Sequence, residues 1–347
     1  MESDPLMLGP SVTFLQSFKI AFKQTRIHYI LLVIPFAILS GILEWGSVPT
    51  FWLNFFAIIP LASLLGFATE ELAKSVGTTI GGLLNATFGN TVELLVSIFA
   101  LRNGMIDVVQ NSLLGSILSN LLLVLGFAFL LGGLKYRDQT FNQQAAQTSA
   151  SLLGLTTLAL IIPAALNTSI ATDPLNILHL SRGVAIILFI IYALYLIFQL
   201  KTHRYMYEGD EMEDSPLVTK KFSLFLLVAT TLTVAVCSDF LVDSIEGISE
   251  QWHLPKSFVA LILLPIVGNA AEHYSAVTFA INNHMDLTLG IAIGSSMQIA
   301  LFAMPLLTIV GWIIGQPMTL LFSTFETVIH IYIGCYVYKC VDCQLFD

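Results

Sequence analysis

Two short segments place a carboxylate three residues after an asparagine: Gly89-Asn90-Thr91-Val92-Glu93 and Gly268-Asn269-Ala270-Ala271-Glu272. Residues three apart on a helix share a face, so each segment presents an amide oxygen beside a carboxylate. Such donors suit a hard cation. Ca2+ takes about six to eight oxygen ligands drawn from carboxylates, amides, carbonyls and water. A divalent cation or bound protons are therefore the expected partners of Glu93 and Glu272.

The two segments are copies. The offset of 179 residues that relates them also takes Asp107 to Asp286, Gly115 to Gly294 and Ser116 to Ser295. A shared register over two successive helices marks an internal duplication. The second helix of each copy adds hydroxyls and amides: Ser112, Ser116, Ser119 and Asn120, then Ser295, Ser296 and Gln298. Gly115 and Gly294 read as helix-packing positions. Ser116, Asn120, Ser295 and Gln298 read as lining the site.

The elements that position these groups are membrane helices. The chain is 56% hydrophobic and 11% charged, against about 25% charged in soluble domains. Apolar runs long enough to span a bilayer recur throughout. Ten spans are expected, near 29–45, 51–73, 79–101, 111–133, 147–166, 183–201, 222–246, 257–281, 287–314 and 319–338. Glu93 falls on the third and Glu272 on the eighth, so an odd number of crossings separates them and the copies have inverted topology. Such repeats hold their substrate near the bilayer midplane where the halves meet. Each glutamate lies deep in its span, roughly 20 Å from the start at about 1.5 Å per residue. An acidic residue there costs about 2.5–3.5 kcal/mol even on insertion scales, and no Lys or Arg stands at comparable depth to pair with it. Gly82, Gly89, Gly268 and Pro265 are expected to loosen the helices around the site, which is tolerated where backbone lines a cavity.

Charge orients the chain. An N-terminus on the cytosolic side puts eleven Lys and Arg there and three (Arg102, Arg182, Lys256) opposite, as the positive-inside rule requires. The expected organisation is a cytosolic segment 1–28 without a cleavable signal, a first helix plus first repeat over 29–201, and an acidic cytosolic linker 202–221. The second repeat, 222–338, is expected to stop after four helices, leaving an atypical tail 339–347. The net charge of −9 comes with no basic patch, which excludes nucleic acid as a partner. Cys237, Cys335, Cys340 and Cys343 make no disulfide framework. His273 follows Glu272 and is a candidate for proton relay or gating. Glu70 and Asp239, in the related pairs Thr69-Glu70 and Ser238-Asp239, are candidates for the entry path, whereas Glu71 reads equally well as a helix-end surface residue.

Longer runs around these groups resemble the cation/proton exchanger (CAX) family of the cation/Ca2+ exchanger superfamily. They are Gly81-Gly82-Leu83-Leu84-Asn85-Ala86-Thr87-Phe88-Gly89-Asn90 with Val92-Glu93-Leu94, and Gly268-Asn269-Ala270-Ala271-Glu272-His273. Phe141-Asn142-Gln143 and Ala145-Ala146-Gln147-Thr148 are most similar to fungal vacuolar members. The resemblance covers about residues 29–327. It implies an all-α membrane protein with the inverted-repeat exchanger fold lacking its usual last helix. It also implies exchange of Ca2+ for H+ at a vacuolar membrane, without a cofactor, with Glu93 and Glu272 binding Ca2+ or protons in turn. The backbone oxygens of Ala86 and Pro265 would join the coordination. The lipid bilayer, and a second copy of the chain, complete the expected partners. Exchange of Mn2+ for H+, sodium/calcium exchange, and a transport-inactive membrane partner of full-length exchangers are the alternatives. No nucleophile–base constellation or nucleotide loop supports an enzyme.

Overall fold

The computed structural model describes residues 13–24, 28–169, 173–206 and 215–323, then 325–329, 331, 332, 334 and 339. The acidic residues Glu208, Asp210, Glu211, Glu213 and Asp214, and Cys335, Cys340 and Cys343, lie outside them. The elements are all helical: α1 Phe14–Gln24, α2 Val33–Ile42, α3 Ser47–Val76, α4 Thr78–Phe88, α5 Thr91–Arg102, α6 Ile106–Leu118, α7 Leu125–Lys135 and α8 Gln143–Ser169. There follow α9 Pro174–Ile197, α10 Lys220–Asp243, α11 Ile245–Gln251, α12 Lys256–Phe258, α13 Leu264–Gly268, α14 Ala270–Ile281, α15 Met285–Gln298 and α16 Met304–Ile314. Among the described residues, six continuous spans are long and apolar enough to cross a bilayer, and two bent pairs bring the number to eight. The first expected span corresponds to a shorter apolar helix, Ile30–Ile42.

Helix ends follow local chemistry. Asp173 accepts the Leu175 N–H at 3.1 Å with Pro174 in the first turn, so α9 starts well before the expected residue 183. Gly315 takes φ 79° and ends α16. The last helix begins later than the expected 319. Ser323 and Glu326 cap it reciprocally, at 2.8 Å from the Ser323 N–H to Glu326 Oε2 and 3.3 Å from the Glu326 N–H to Ser323 Oγ.

Contacts between distant segments define two ends. At one, Glu71 accepts the N–H groups of Leu217 (2.5 Å) and Val218 (3.3 Å), and Lys135 donates to the Ile281 carbonyl (2.9 Å). At the other, Asn103 donates to Asp243 at 2.7 Å, and Gln110 donates to the carbonyls of Thr319 (2.9 Å) and Leu321 (3.1 Å). The span α4–α5 therefore runs from the Lys74 end to the Asn103 end. The span α12–α14 runs the opposite way, as the inverted repeat requires. Backbone geometry repeats too. A π turn at Ser119–Val124 joins α6 to α7, and another at Ile299–Ala303 joins α15 to α16.

Helix α3 and its counterpart α10 pack along each other and both give buried residues to the core they share with the remaining spans. Glu71 is not a surface residue: it is 1% exposed and also pairs with Lys74 at 3.1 Å. Gly82 does not loosen α4; it lets that helix pack against the Leu200 side chain. Gly115 is closed in by the Leu261 carbonyl and Pro265, whereas its counterpart Gly294 faces open space. Gly115→Ala should therefore lower the thermal unfolding temperature in detergent, by overpacking worth about 1–3 kcal/mol. Gly294→Ala should leave it unchanged, and equal effects would contradict the asymmetry.

Candidate functional site

The Gly-Asn-x-x-Glu segments sit where two spans break. Helices α4 and α5 meet at 43°, and the α12–α13 span meets α14 at 59°. Asn90 and Asn269 occupy the breaks (φ −102° and −92°), so the glutamates fall in the first turns of α5 and α14. Unpaired N–H groups at a helix start favour negative charge there, which explains the spacing. Neither asparagine caps its own helix. Their amides turn to the opposite half: Asn90 donates to Gln298 Oε1 at 2.9 Å, and Asn269 to the Ser116 carbonyl at 3.4 Å.

The carboxylates are held by unlike devices. Glu272 Oε2 accepts from Ser295 Oγ at 2.8 Å and from Asn120 Nδ2 at 3.4 Å, with Asn120 also donating to Ser295 at 3.2 Å. Glu93 is 6% exposed, and its carboxylate rests against the bare Cα of Gly268, where a Cβ would stand 2.9 Å from Oε1. This contact between halves was not read from the sequence, although a glycine opposite a buried carboxylate was its only available sign. Five buried side-chain oxygens in the cluster have no hydrogen-bond partner: Asn90 Oδ1, Glu93 Oε2, Ser116 Oγ, Asn120 Oδ1 and Asn269 Oδ1. Among the described residues no Lys or Arg forms an ion pair with either glutamate. Such a cluster can hold a cation or protons; unoccupied, each oxygen costs the desolvation of a polar group.

The other expected residues are placed as follows. Ala86 is buried just before the first break, and Pro265 gives its carbonyl to the Asn269 N–H at 2.9 Å, leaving a second lone pair. Ser296 bonds its own helix at the Ala292 carbonyl and does not join the cluster. His273 Nε2 lies 3.1 Å from Ser119 Oγ, across the halves. Glu70 stands apart, exposed at the end of α3 and paired with Lys74 at 2.7 Å. Asp239 lies on α10, within electrostatic reach of Asp243 and Arg102 and away from the cluster.

Two cavities flank the cluster, and of these one reaches it. A cavity of about 970 Å³ opens at the Lys74 end, past Asn142, Asn283 and Asp286, and reaches Asn85, Gly294 and Gln298. A second, of about 1130 Å³ at the Asn103 end, is lined by Asp107, Gln110, Glu246, Lys256 and others, none of them in the cluster.

The profile of the family described as "Sodium/calcium exchanger protein" matches residues 46–201 and 222–341, running on past the 327 at which the sequence resemblance stopped. The "Vacuolar calcium ion transporter" of Schizosaccharomyces pombe is 46% identical over 318 residues, 90% of this chain and 77% of its own. The "Ca(2+)/H(+) antiporter" of Aphanothece halophytica is 46% identical over 323 residues, 88% and 87% of the two chains. Native YfkE superposes with a TM-score of 0.79 at 37% identity, covering 91% of this chain and 92% of its own. The H+/Ca2+ exchanger CAX, at 13% identity and a TM-score of 0.71 over 96% of this chain and 89% of its own, shares the fold.

Ser295→Ala removes a donor to a carboxylate, an interaction worth about 1.5–3 kcal/mol. Calorimetric titration with Ca2+ should show binding weakened about ten-fold or more. Ser296→Ala should bind as the parent does, and equal loss in both would contradict the assigned site.

Proposed function

The chain belongs to the sodium/calcium exchanger protein family, and from that premise we propose that it exchanges Ca2+ for H+ across an acidic-store membrane by alternating access. The observation that carries this reading is a pair of carboxylates, Glu93 buried and Glu272 half-buried, with unpartnered oxygens around them and, among the described residues, no basic side chain paired with them. A transported cation is the remaining counter-charge. The named activities of the S. pombe and A. halophytica relatives support Ca2+ as that cation and H+ as its rival.

With the N-terminus cytosolic and the membrane vacuolar, the Lys74 end faces the cytosol and the Asn103 end the lumen. Cytosolic Ca2+ enters by the cavity that reaches Asn85 and Gln298. Glu93 and Glu272 supply the charge, while Asn90, Asn269, Ser116, Asn120, Ser295, Gln298 and the backbone oxygens of Ala86 and Pro265 complete the oxygen shell. After the site turns to the acidic lumen, protons neutralise the carboxylates and the charge that held Ca2+ is gone. Protonated carboxyls return the empty site at lower electrostatic cost. The two carboxyls share one site and titrate together. His273, against Ser119, is the candidate relay for protons, with Glu70 and Asp239 on the two approaches. Oxygen donors of this class also accept Mn2+, and competition between the two cations separates the readings.

In sealed vesicles with an acidic interior, Glu93→Gln or Glu272→Gln should abolish protonophore-sensitive Ca2+ uptake; unchanged uptake would overturn the proposal. Acidifying the cytosolic side should raise the apparent KM for Ca2+, because protons then compete for the carboxylates. The slope of log KM against pH should approach a magnitude of about two as both carboxyls become protonated. A KM independent of pH would contradict competition at one site.

A further inference from the structure

We propose that Asn103 with Asp243, and Lys256 with Glu246, form the latch that closes the cation site toward the lumen and must open in each transport cycle. The proposal rests on the antiporter reading and on the orientation given above.

Both glutamate-bearing spans are tied at the same end to the same neighbour. Helix α5 carries Glu93 in its first turn and ends at Arg102; Asn103 follows and donates to Asp243, the last residue of α10, at 2.7 Å. Arg102 is in electrostatic reach of Asp239, one turn back on α10. The span that leads to Glu272 begins at Lys256, whose ammonium pairs with Glu246 of α11, the continuation of α10. Each half of the site is thus coupled to α10–α11 through the lumenal end of its own broken span.

The internal repeat supplies the control. At the offset of 179 the counterpart of Asn103 is Asn282, at the cytosolic end of α14. Its side chain is exposed and makes no hydrogen bond among the described residues. The matching end of α3 directs Lys74 to its own Glu70 and Glu71, and Glu71 to the N–H groups of Leu217 and Val218, not to α14. Side-chain ties to α10–α11 are present at the end where the cavity stops short of the site. At the end where the cavity of about 970 Å³ reaches the site, α14 is held instead to the end of α7 and the chain after it, by Lys135 on the Ile281 carbonyl and Gln139 on the Ala280 carbonyl (both 2.9 Å). Among the described residues no side-chain hydrogen bond joins α14 to α3, the counterpart of α10. The lumenal pairs are solvated, with Lys256 and Glu246 49% and 57% exposed. Exposed pairs of this kind are weak, as a contact broken in every cycle must be. Asn103 and Asp243 touch no ion; they act through the helices that carry the glutamates.

The test joins Asn103→Cys to Asp243→Cys in a chain whose native cysteines are replaced by alanine, using a short bridging dithiol reagent cleavable by reductant. Cross-linking should stop Ca2+ uptake into acidic vesicles, reductant should restore it, and the cross-linked protein should still bind Ca2+ from the cytosolic side. A purely structural pair would let the cross-linked protein transport like the reduced one, which would overturn the latch. Absence of any cross-link would overturn it as well. A cysteine-replaced parent without uptake would sink the antiporter reading and the latch together, whereas a transporting parent isolates the latch. Should the reduced double variant itself be inactive, Lys256→Cys with Glu246→Cys carries the same two outcomes.

Discussion

Two carboxylates at the breaks of membrane spans, one buried and one half-buried and neither with a basic partner among the described residues, are the constraint on which this structure turns. Hydrocarbon gives them no counter-charge, and four oxygens of the side chains around them, with Glu93 Oε2 itself, are unpaired among the described residues. A protein that retained such a cluster only for stability would do better with apolar residues of the same size. The cluster becomes intelligible once the compensating positive charge arrives from outside and leaves again. From that follow the broken spans, which aim helix starts at the carboxylates, and the antiparallel repeat, which gathers donors from both halves at one depth.

The halves are related but not interchangeable. Glu272 is fixed by hydrogen bonds from Ser295 and from Asn120 of the other half, while Glu93 rests on Gly268 with one oxygen free. The residue that repeats Asn120 is Ile299, which has no donor. Gly115 is packed where Gly294 is open. An inverted repeat held in one conformation must break its symmetry in this way, because exchanging the environments of the two halves is what exchanges the side to which the site opens.

Much of the site was legible in the sequence because its signals are local or repeated. The Asn-x-x-Glu spacing and the shared offset placed Asn90, Glu93, Asn269 and Glu272, and duplicated polar positions brought in Ser116 and Ser295. The odd separation of the glutamate spans yielded their opposite directions. What was not legible depends on tertiary approach. Glu71 is buried because the chain at Leu217 and Val218 folds back onto it. Gly82 is a packing residue because Leu200 lies across it. Asn103 gains its meaning only from Asp243, far along the chain. Two helix ends were misjudged for a different reason: the Asp173-Pro174 start and the Ser323–Glu326 capping box are local signals that hydropathy outweighed.

The most direct measurement is the number of protons released when Ca2+ binds to the purified protein, read by calorimetry in buffers of different ionisation enthalpy. Over the pH range in which Ca2+ binding weakens with acid, Ca2+ should displace protons from the parent chain. The displacement should be reduced or lost in Glu93→Gln and Glu272→Gln. Ca2+ binding without proton release at any pH would mean that the two ions do not share these carboxylates.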